Sequence, residues 1–179
     1  MKKIFLLLLV LALSFFSCEK DDICDANTPT TPRLVITFYD ITNPAVLKNV
    51  TNLKVVGAGM TDGIIFNTSA TGESKYLTSG NAISIPLKTN EDTTSYNFTL
   101  NSGNANPALV NEDNIKFDYT RADIFVSRAC GFKTLFTLNT SNPYTHTDAA
   151  VPDEKWIQYI SVEKSNIDNE NDTHLKIFF

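Results

Sequence analysis

The sequence predicts an all-β protein that folds as an antiparallel β-sandwich. Apolar and polar residues alternate with a period of two in many short segments. Thr, Asn and Ser are abundant, whereas Ala and Leu are sparse beyond residue 17, and this composition favours strands and turns. Turn-forming residues separate the segments at intervals of about 8 to 12 positions, as in sandwiches and barrels. No window of a dozen residues shows a helical period.

The alternating segments follow each other from residue 34 to the end of the sequence. In chain order, the expected strand residues are Leu34, Ile36 and Phe38; Leu53 to Val56; Ile64 to Phe66; Lys75 to Leu77; Ile83, Ile85 and Leu87; Tyr96, Phe98 and Leu100; Ile115, Phe117 and Tyr119; Ile124, Val126 and Cys130; Phe132, Phe136 and Leu138; Trp156, Ile160 and Val162; and Leu175, Ile177 and Phe179. This series predicts one sandwich, immunoglobulin-like in general build, over residues 33–179.

The first 17 residues have the pattern of a secretory signal peptide. Lys2 and Lys3 carry positive charge, and an apolar run follows from Ile4 to Phe16. The run is too short for a transmembrane helix, which needs roughly 20 apolar residues. A buried helix is the alternative, although nothing amphipathic follows it. The remaining 162 residues match the usual size of one domain.

The residues after the apolar run resemble the lipobox of bacterial lipoproteins. Cys18 directly follows the small residue Ser17. The resemblance implies cleavage before Cys18 and acylation of this cysteine, which would anchor the protein in a membrane through more than one acyl chain. Phe15 and Phe16 depart from the tightest form of the motif, and Bacteroidota-type lipoproteins are looser there. An ordinary secreted protein cut at a similar place is the alternative.

The charges that follow Cys18 resemble an export signal. Lys20, Asp21 and Asp22 match the Lys and two acidic residues found after the lipidated Cys of Bacteroidota-type surface lipoproteins. The resemblance implies display on the outer leaflet of the outer membrane. The alternative is a charged tether, residues 18–32, on a lipoprotein that faces the periplasm.

Two further cysteines, Cys24 and Cys130, allow one intramolecular disulfide. An even number of cysteines in an oxidising compartment favours a bridge, and two buried free thiols are the alternative. Only six residue steps separate Cys24 from Cys18, a span of at most about 20 Å. A bridge would therefore hold the Cys130 end of the sandwich close to the membrane.

Three short segments together resemble a family of small uncharacterised Bacteroidota-type outer-membrane lipoproteins. They are Ile23-Cys24, Cys130-Gly131-Phe132 and the terminal segment His174 to Phe179. The resemblance implies a location at the outer membrane and an all-β fold, and it implies no activity.

The charge and motif content excludes several function classes. The mature part keeps 13 of the 15 Lys and Arg residues and all 20 acids, a formal charge of −7 without a basic cluster, so no nucleic-acid partner is expected. The loop Gly57–Gly63 lacks the spacing of a phosphate loop and predicts a hairpin or β-arch connection. Neither His146 nor His174 has the spacing of a zinc ligand, and His174 is expected to face solvent. We expect no cofactor and no metal.

Two polar segments remain as candidate sites. Residues 167–174 alternate acids that could offer oxygens to calcium, but the segment lacks the Gly and the distal Glu of an EF-hand, and an acidic turn explains it equally well. Asp92-Thr93-Thr94 resembles the short motif at which Bacteroidota-type secreted proteins are O-glycosylated, with Thr93 as the acceptor, in a polar connection between strands.

The sequence indicates a lipid-anchored cell-envelope protein that acts as a binding or structural module. Its partner would be an unknown envelope protein or glycan, and it would contact the membrane through the N-terminal lipid. The alternative is an envelope hydrolase or lyase with a site not visible in sequence. No G-x-S-x-G motif and no assignable Ser-His-Asp set supports that alternative.

Overall fold

A computed structural model describes residues 23–28 and 30–179 of the chain. These residues form eleven strands and two short 3₁₀ segments, Gly72–Tyr76 and Pro107–Leu109. The strands are β1 (Leu34–Tyr39), β2 (Leu53–Gly57), β3 (Leu77–Thr78), β4 (Ala82–Ile85), β5 (Thr93–Leu100), β6 (Asn111–Ser127), β7 (Gly131–Leu138), β8 (Tyr144–Asp148), β9 (Tyr159–Val162), β10 (Asn166–Ile167) and β11 (Leu175–Phe178). The predicted all-β fold is confirmed.

The strands form two sheets. The four-stranded sheet has the order β4-β1-β11-β9, and the larger sheet has the order β10-β7-β6-β5-β2-β3, with β8 also paired to β6. Within the four-stranded sheet β1 pairs in parallel with β11, with Ile36 opposite Leu175, whereas β1–β4 and β11–β9 are antiparallel. The sandwich is therefore largely antiparallel, with the first and last strands as a parallel pair.

One hydrophobic core is shared by both sheets. Alternate residues of β1 and β5 are buried, as the period of two predicts. The largest fully buried side chains include Phe38 from one sheet and Phe98 and Phe117 from the other. Trp156 donates its indole N–H to the carbonyl of Phe98 at 3.0 Å. Burial of each such aromatic ring contributes roughly 1.5–3 kcal/mol, so these residues stabilise the packing of sheet on sheet.

The chain divides into two compact units. The larger comprises Thr31–Asp123 and Thr134–Phe179 and contains the core described above. The smaller comprises the described residues up to Thr30 together with Ile124–Lys133, which are the end of β6, the start of β7 and the turn between them. None of the buried core residues belongs to the described part of the smaller unit.

Four details differ from the predicted elements. The segment Ile64 to Phe66 forms no strand. The segments around Ile115 and Ile124 are one continuous strand of 17 residues, β6. Lys75 lies in a 3₁₀ turn, because Gly72 adopts a φ of +60° and the chain coils before β3. Phe132 is 68% exposed instead of facing the core, since it belongs to the smaller unit and packs against Phe125.

Candidate binding surfaces

The residues of the predicted anchor lie outside the described part of the chain. Cys18, Lys20, Asp21 and Asp22 all precede residue 23, so lipidation and the export signal stay predictions. Within residues 23–28 and 30–179, no helix has the length and apolar character needed to cross a bilayer.

The structure contains the predicted disulfide between Cys24 and Cys130. Their Cα atoms are 4.9 Å apart, within the range that a disulfide requires, and 106 positions separate them in sequence. The bridge joins the N-terminal segment to the turn between β6 and β7.

This turn has a local geometry that presents Cys130 to the bridge. The backbone N–H of Cys130 donates to Ser127 Oγ at 3.0 Å. Gly131 follows with a φ of +69°, a left-handed conformation that favours glycine and that commonly closes three-residue hairpin loops. We call Ile124–Lys133 the tethered hairpin, because the disulfide joins it to the chain that follows Cys18.

Thr93 lies at the first residue of β5, opposite Asp118, and not in the connection before the strand. Its Oγ1 is buried and has no hydrogen-bond partner among the described residues. A glycosyltransferase would therefore need this strand end to open before it could reach the hydroxyl. Glycosylation at Thr93 stays a prediction.

Three aromatic side chains form a row across the outer face of the four-stranded sheet. Tyr39 of β1 lies opposite Phe178 of β11, which lies opposite Tyr159 of β9. The ring centroids are 5.5 Å apart for Tyr39 and Phe178, and 5.7 Å apart for Phe178 and Tyr159. Phe38 and Ile177, the sequence neighbours of two of these residues, belong to the core, so the row points away from it.

We call these three residues the aromatic row. The exposed fraction of the side chains increases toward the sheet edge: Phe178 is 8% exposed and Tyr159 is 57% exposed. Tyr159 belongs to β9, which is an edge strand of this sheet as the structure describes it. The row is therefore supported by packing on one side and open to a partner at Tyr159.

A polar row lies beside the aromatic row on the same face. Thr37, Lys176 and Ser161 are aligned across β1, β11 and β9, two residues along each strand from the aromatic row. Lys176 Nζ lies 2.9 Å from Glu163 Oε2 and 5.4 Å from the ring centroid of Tyr39. The hydrogen bond between Lys176 and Glu163 raises the pKa of Lys176 and lowers the pKa of Glu163. Both groups are consequently charged at neutral pH.

The sequence prediction missed the aromatic row. Tyr39 and Phe178 occupy the positions of β1 and β11 at which alternation predicts an outward side chain, and these are usually polar in a half-buried sheet. Aromatic residues at outward positions were the available signal. The pairing of β1 with β11, which brings them together, could not be read from the chain.

A groove of about 400 Å³ lies in the larger unit between two loops. One wall is the connection from Gly57 to Ile64, and the other is formed by residues 86–96. Met60 at its mouth is 66% exposed, and Tyr96 at its base is 5% exposed. Burial raises the pKa of Tyr96 to about 12, and its hydroxyl donates to the carbonyl of Pro86. The phenol is therefore neutral at neutral pH.

A closed ring of hydrogen bonds stiffens the wall of the groove that residues 86–96 form. The Lys88 N–H donates to Thr94 Oγ1 at 2.9 Å, Thr94 Oγ1 lies 2.6 Å from the Tyr119 hydroxyl, and that hydroxyl donates to the Lys88 carbonyl at 2.9 Å. Among the lining residues, all in the described part of the chain, Asp62 and Lys88 are the two charged ones. At Gly57–Gly63, for which a hairpin or β-arch connection is predicted, the chain turns back and an isolated antiparallel bridge joins Val56 to Gly63.

Asp113 is a fully buried carboxylate on β6. Its Oδ2 accepts the Ile157 N–H at 2.8 Å and lies 3.1 Å from His146 Nε2. These contacts hold the segment that contains Trp156 and Ile157 against the sheet. His146 therefore pairs with a structural carboxylate, Asp113, and its sequence spacing is not that of a zinc ligand.

The expected exposure of His174 is wrong, because its side chain is 0% exposed. Its Nδ1 accepts the backbone N–H of Val35 at 3.0 Å, so the ring takes the place of a sheet carbonyl between β1 and β11. Burial lowers the pKa of His174, and the nearby charge of Asp172 has a smaller, opposing effect. His174 is therefore neutral in the folded protein at neutral pH.

In the acidic turn before His174, two carboxylates are paired with one lysine. Lys164 Nζ lies 2.5 Å from Asp172 Oδ2 and 4.0 Å from Asp168 Oδ1, and Asn169 Nδ2 also donates to Asp172. The hydrogen bond that Asp172 accepts from Lys164 lowers the pKa of Asp172. Within the described ranges, no group of three or more His, Cys, Asp or Glu side chains could hold a metal ion. The geometry is that of an acidic turn between two strands.

Comparison with known proteins gives a family and no activity. No curated protein and no solved structure matches the chain. A family model, described as a family of unknown function (DUF6452), matches residues 52–179. The matched part begins just before β2 and includes the tethered hairpin together with β9 and β11 of the aromatic row. The chain therefore belongs to the DUF6452 family.

Proposed function

We propose that the protein is a lipid-anchored cell-envelope protein that acts as a binding module, with the aromatic row as its contact surface. The observation that carries this proposal is the aligned set of Tyr39, Phe178 and Tyr159 on the outer face of a sheet. Tyrosine is enriched at binding interfaces because its ring is apolar and its hydroxyl can hydrogen-bond. The row faces away from the core, and its most exposed member, Tyr159, lies on the edge strand β9.

The chemistry of this face suits an envelope glycan. A sugar ring has an apolar C–H face and a rim of hydroxyl groups, and it would stack on Tyr159 while its hydroxyls reach the polar row. Ser161 and the Lys176–Glu163 ion pair supply donors and acceptors beside the rings, whereas the Thr37 hydroxyl is buried and out of reach of a ligand. A protein strand added to the edge of β9 is the competing mode, since edge strands accept such additions.

Binding would be tested on purified peptidoglycan sacculi and on isolated outer-membrane polysaccharide by co-sedimentation. Tyr159→Ala should weaken binding about thirtyfold or more if Tyr159 is a central contact. Met60→Ala, which removes another strongly exposed side chain from the groove, is the matched control and should bind normally. Loss of binding in Met60→Ala alone would assign the ligand to the groove. Undiminished binding by Tyr159→Ala would exclude the aromatic row.

One feature supports attachment at the membrane and a second supports export from the cytoplasm. The apolar run followed by Cys18 resembles a lipoprotein signal, and the Cys24–Cys130 disulfide needs an oxidising compartment to form and persist. Cys18→Ser should abolish incorporation of labelled fatty acid and leave the precursor uncut. Processed Cys18→Ser protein that still fractionates with membranes would contradict lipid anchoring.

The proposed surface location depends on Lys20, Asp21 and Asp22. Changing all three to Ala should protect the protein from protease added to intact cells of a Bacteroidota host. Glu19→Ala, a single charge change in the same tether, is the control and should leave the protein accessible. Equal digestion of the triple variant and the native protein would show that these residues do not direct display.

A further inference from the structure

The tethered hairpin exposes a pair of aromatic rings. Phe125 and Phe132 are 57% and 68% exposed, and their ring centroids are 5.4 Å apart in an edge-to-face arrangement. Ile124 beside them is 42% exposed. These side chains add nothing to the core, which contains none of the described residues of their unit. Clustered exposed apolar side chains of this kind indicate a surface that contacts a partner.

The charge of the hairpin differs from that of the whole chain. Residues 124–133 contain Arg128 and Lys133 and no acid, whereas the chain has a formal charge of −5. Aromatic and aliphatic side chains next to basic ones are typical of segments that lie at the boundary between lipid headgroups and acyl chains. The ammonium group of Lys133 complements the phosphates of anionic lipids.

The position of the hairpin along the chain indicates that its partner is the membrane. The disulfide fixes Cys130 to Cys24, with 4.9 Å between their Cα atoms. Six residues from Cys18 to Cys24 span at most about 20 Å, so a lipid anchor at Cys18 keeps the hairpin within a short distance of the bilayer surface. A soluble partner would have to compete for the hairpin with a bilayer surface that is always this close.

We infer that the tethered hairpin is a second membrane contact, in which Phe125 and Phe132 insert among the headgroups of the bilayer that holds Cys18. This inference rests on the proposed lipid anchor. An acyl anchor alone leaves the protein free to tilt and rotate above the bilayer. A second contact through the disulfide-linked hairpin would limit that motion.

The test uses the mature acylated protein carrying Phe132→Trp, reconstituted into vesicles of phosphatidylethanolamine and phosphatidylglycerol. Part of the lipid carries bromine on its acyl chains, which quenches a nearby indole. We expect a blue shift and a loss of emission from the introduced indole in the brominated vesicles. Adding Phe125→Ser, which removes the packed neighbour of the ring, should reduce this quenching.

Two references make the result specific. The native protein gives the background from Trp156, which is 8% exposed, and Leu109→Trp reports an exposed indole in the larger unit, since Leu109 is 55% exposed. Quenching of Phe132→Trp no greater than that of Leu109→Trp would overturn the inference. A blue shift without lipid quenching, reversed on dilution, would also overturn it and assign the surface to a second copy of the chain.

The same sample tests the hairpin contact separately from acylation at Cys18. Intact mass spectrometry and flotation with the vesicles report acylation at Cys18 independently of the indole. An acylated protein that floats without quenching refutes the hairpin contact and leaves the anchor in place. A processed protein without acyl chains refutes both.

Discussion

Removal of the Cys24–Cys130 disulfide should strongly destabilise the protein. The bridge closes a loop with a sequence separation of 106. In the chain-entropy model, a loop of this size lowers the entropy of the unfolded chain enough to contribute about 4.8 kcal/mol to folding at 25 °C. For a protein of this size, that loss corresponds to a decrease in Tm of roughly 10–20 °C.

The measurement compares residues 19–179 of the native protein with the Cys24→Ser/Cys130→Ser variant in urea. Trp156, the one tryptophan of the chain, is buried in the core and reports unfolding by its fluorescence. The variant should unfold at lower urea concentration and with a larger m-value, because its unfolded chain is more expanded. Native protein treated with reductant is the control and should match the variant.

A loss below about 1 kcal/mol would refute the reasoning, because the bridge would then leave the unfolded ensemble almost unconstrained. Such a result would mean that, without the bridge, the segment around Cys24 already separates from the hairpin in the folded variant. Hydrogen exchange in residues 23–30 and 124–133 would then show opening that is independent of global unfolding.

Two further predictions concern single side chains. Because burial lowers the pKa of His174 below its unfolded value near 6.5, stability should be complete above that pH and should fall by up to about 1.4 kcal/mol per pH unit as acid protonates the unfolded state. His174→Asn, which keeps an acceptor for the Val35 N–H and does not titrate, should flatten the stability curve between pH 6.5 and 5, and parallel curves would contradict this role. Phe98→Ala should lower the free energy of unfolding by about 3–5 kcal/mol, since Phe98 is fully buried. The matched change Phe132→Ala, at an exposed ring, should alter it by no more than about 0.5 kcal/mol, and equal losses would mean that Phe132 is packed.

The strands with one buried face were predictable because their side chains alternate. Leu34, Ile36 and Phe38 in β1 and Tyr96 and Phe98 in β5 are buried as expected, since a half-buried strand must place every second residue in the core. The disulfide was predictable because the sequence predicts an exported chain with Cys18 lipidated, and the two remaining cysteines, Cys24 and Cys130, allow a single pairing.

The features that depend on long-range pairing were not predictable. The aromatic row exists because β1 and β11 are neighbours, and no local pattern specifies which strands pair. His174 has an outward position by alternation, yet it is buried because it accepts a hydrogen bond from Val35, 139 residues away. Phe132 follows a core pattern in sequence but belongs to the smaller unit, which the period of two cannot indicate.

The parallel pairing of β1 with β11 also determines when this protein can fold. The order β4-β1-β11-β9 leaves β9 without a partner in its sheet until β11 is present. A chain emerging from a ribosome or a secretion channel could pair β1 with β4 early, but half of the four-stranded sheet must wait for residues 175–178. Contacts this distant in sequence slow folding and leave unpaired edges exposed in the meantime. The protein should therefore remain incompletely folded, and open to chaperones and proteases, until its last strand arrives.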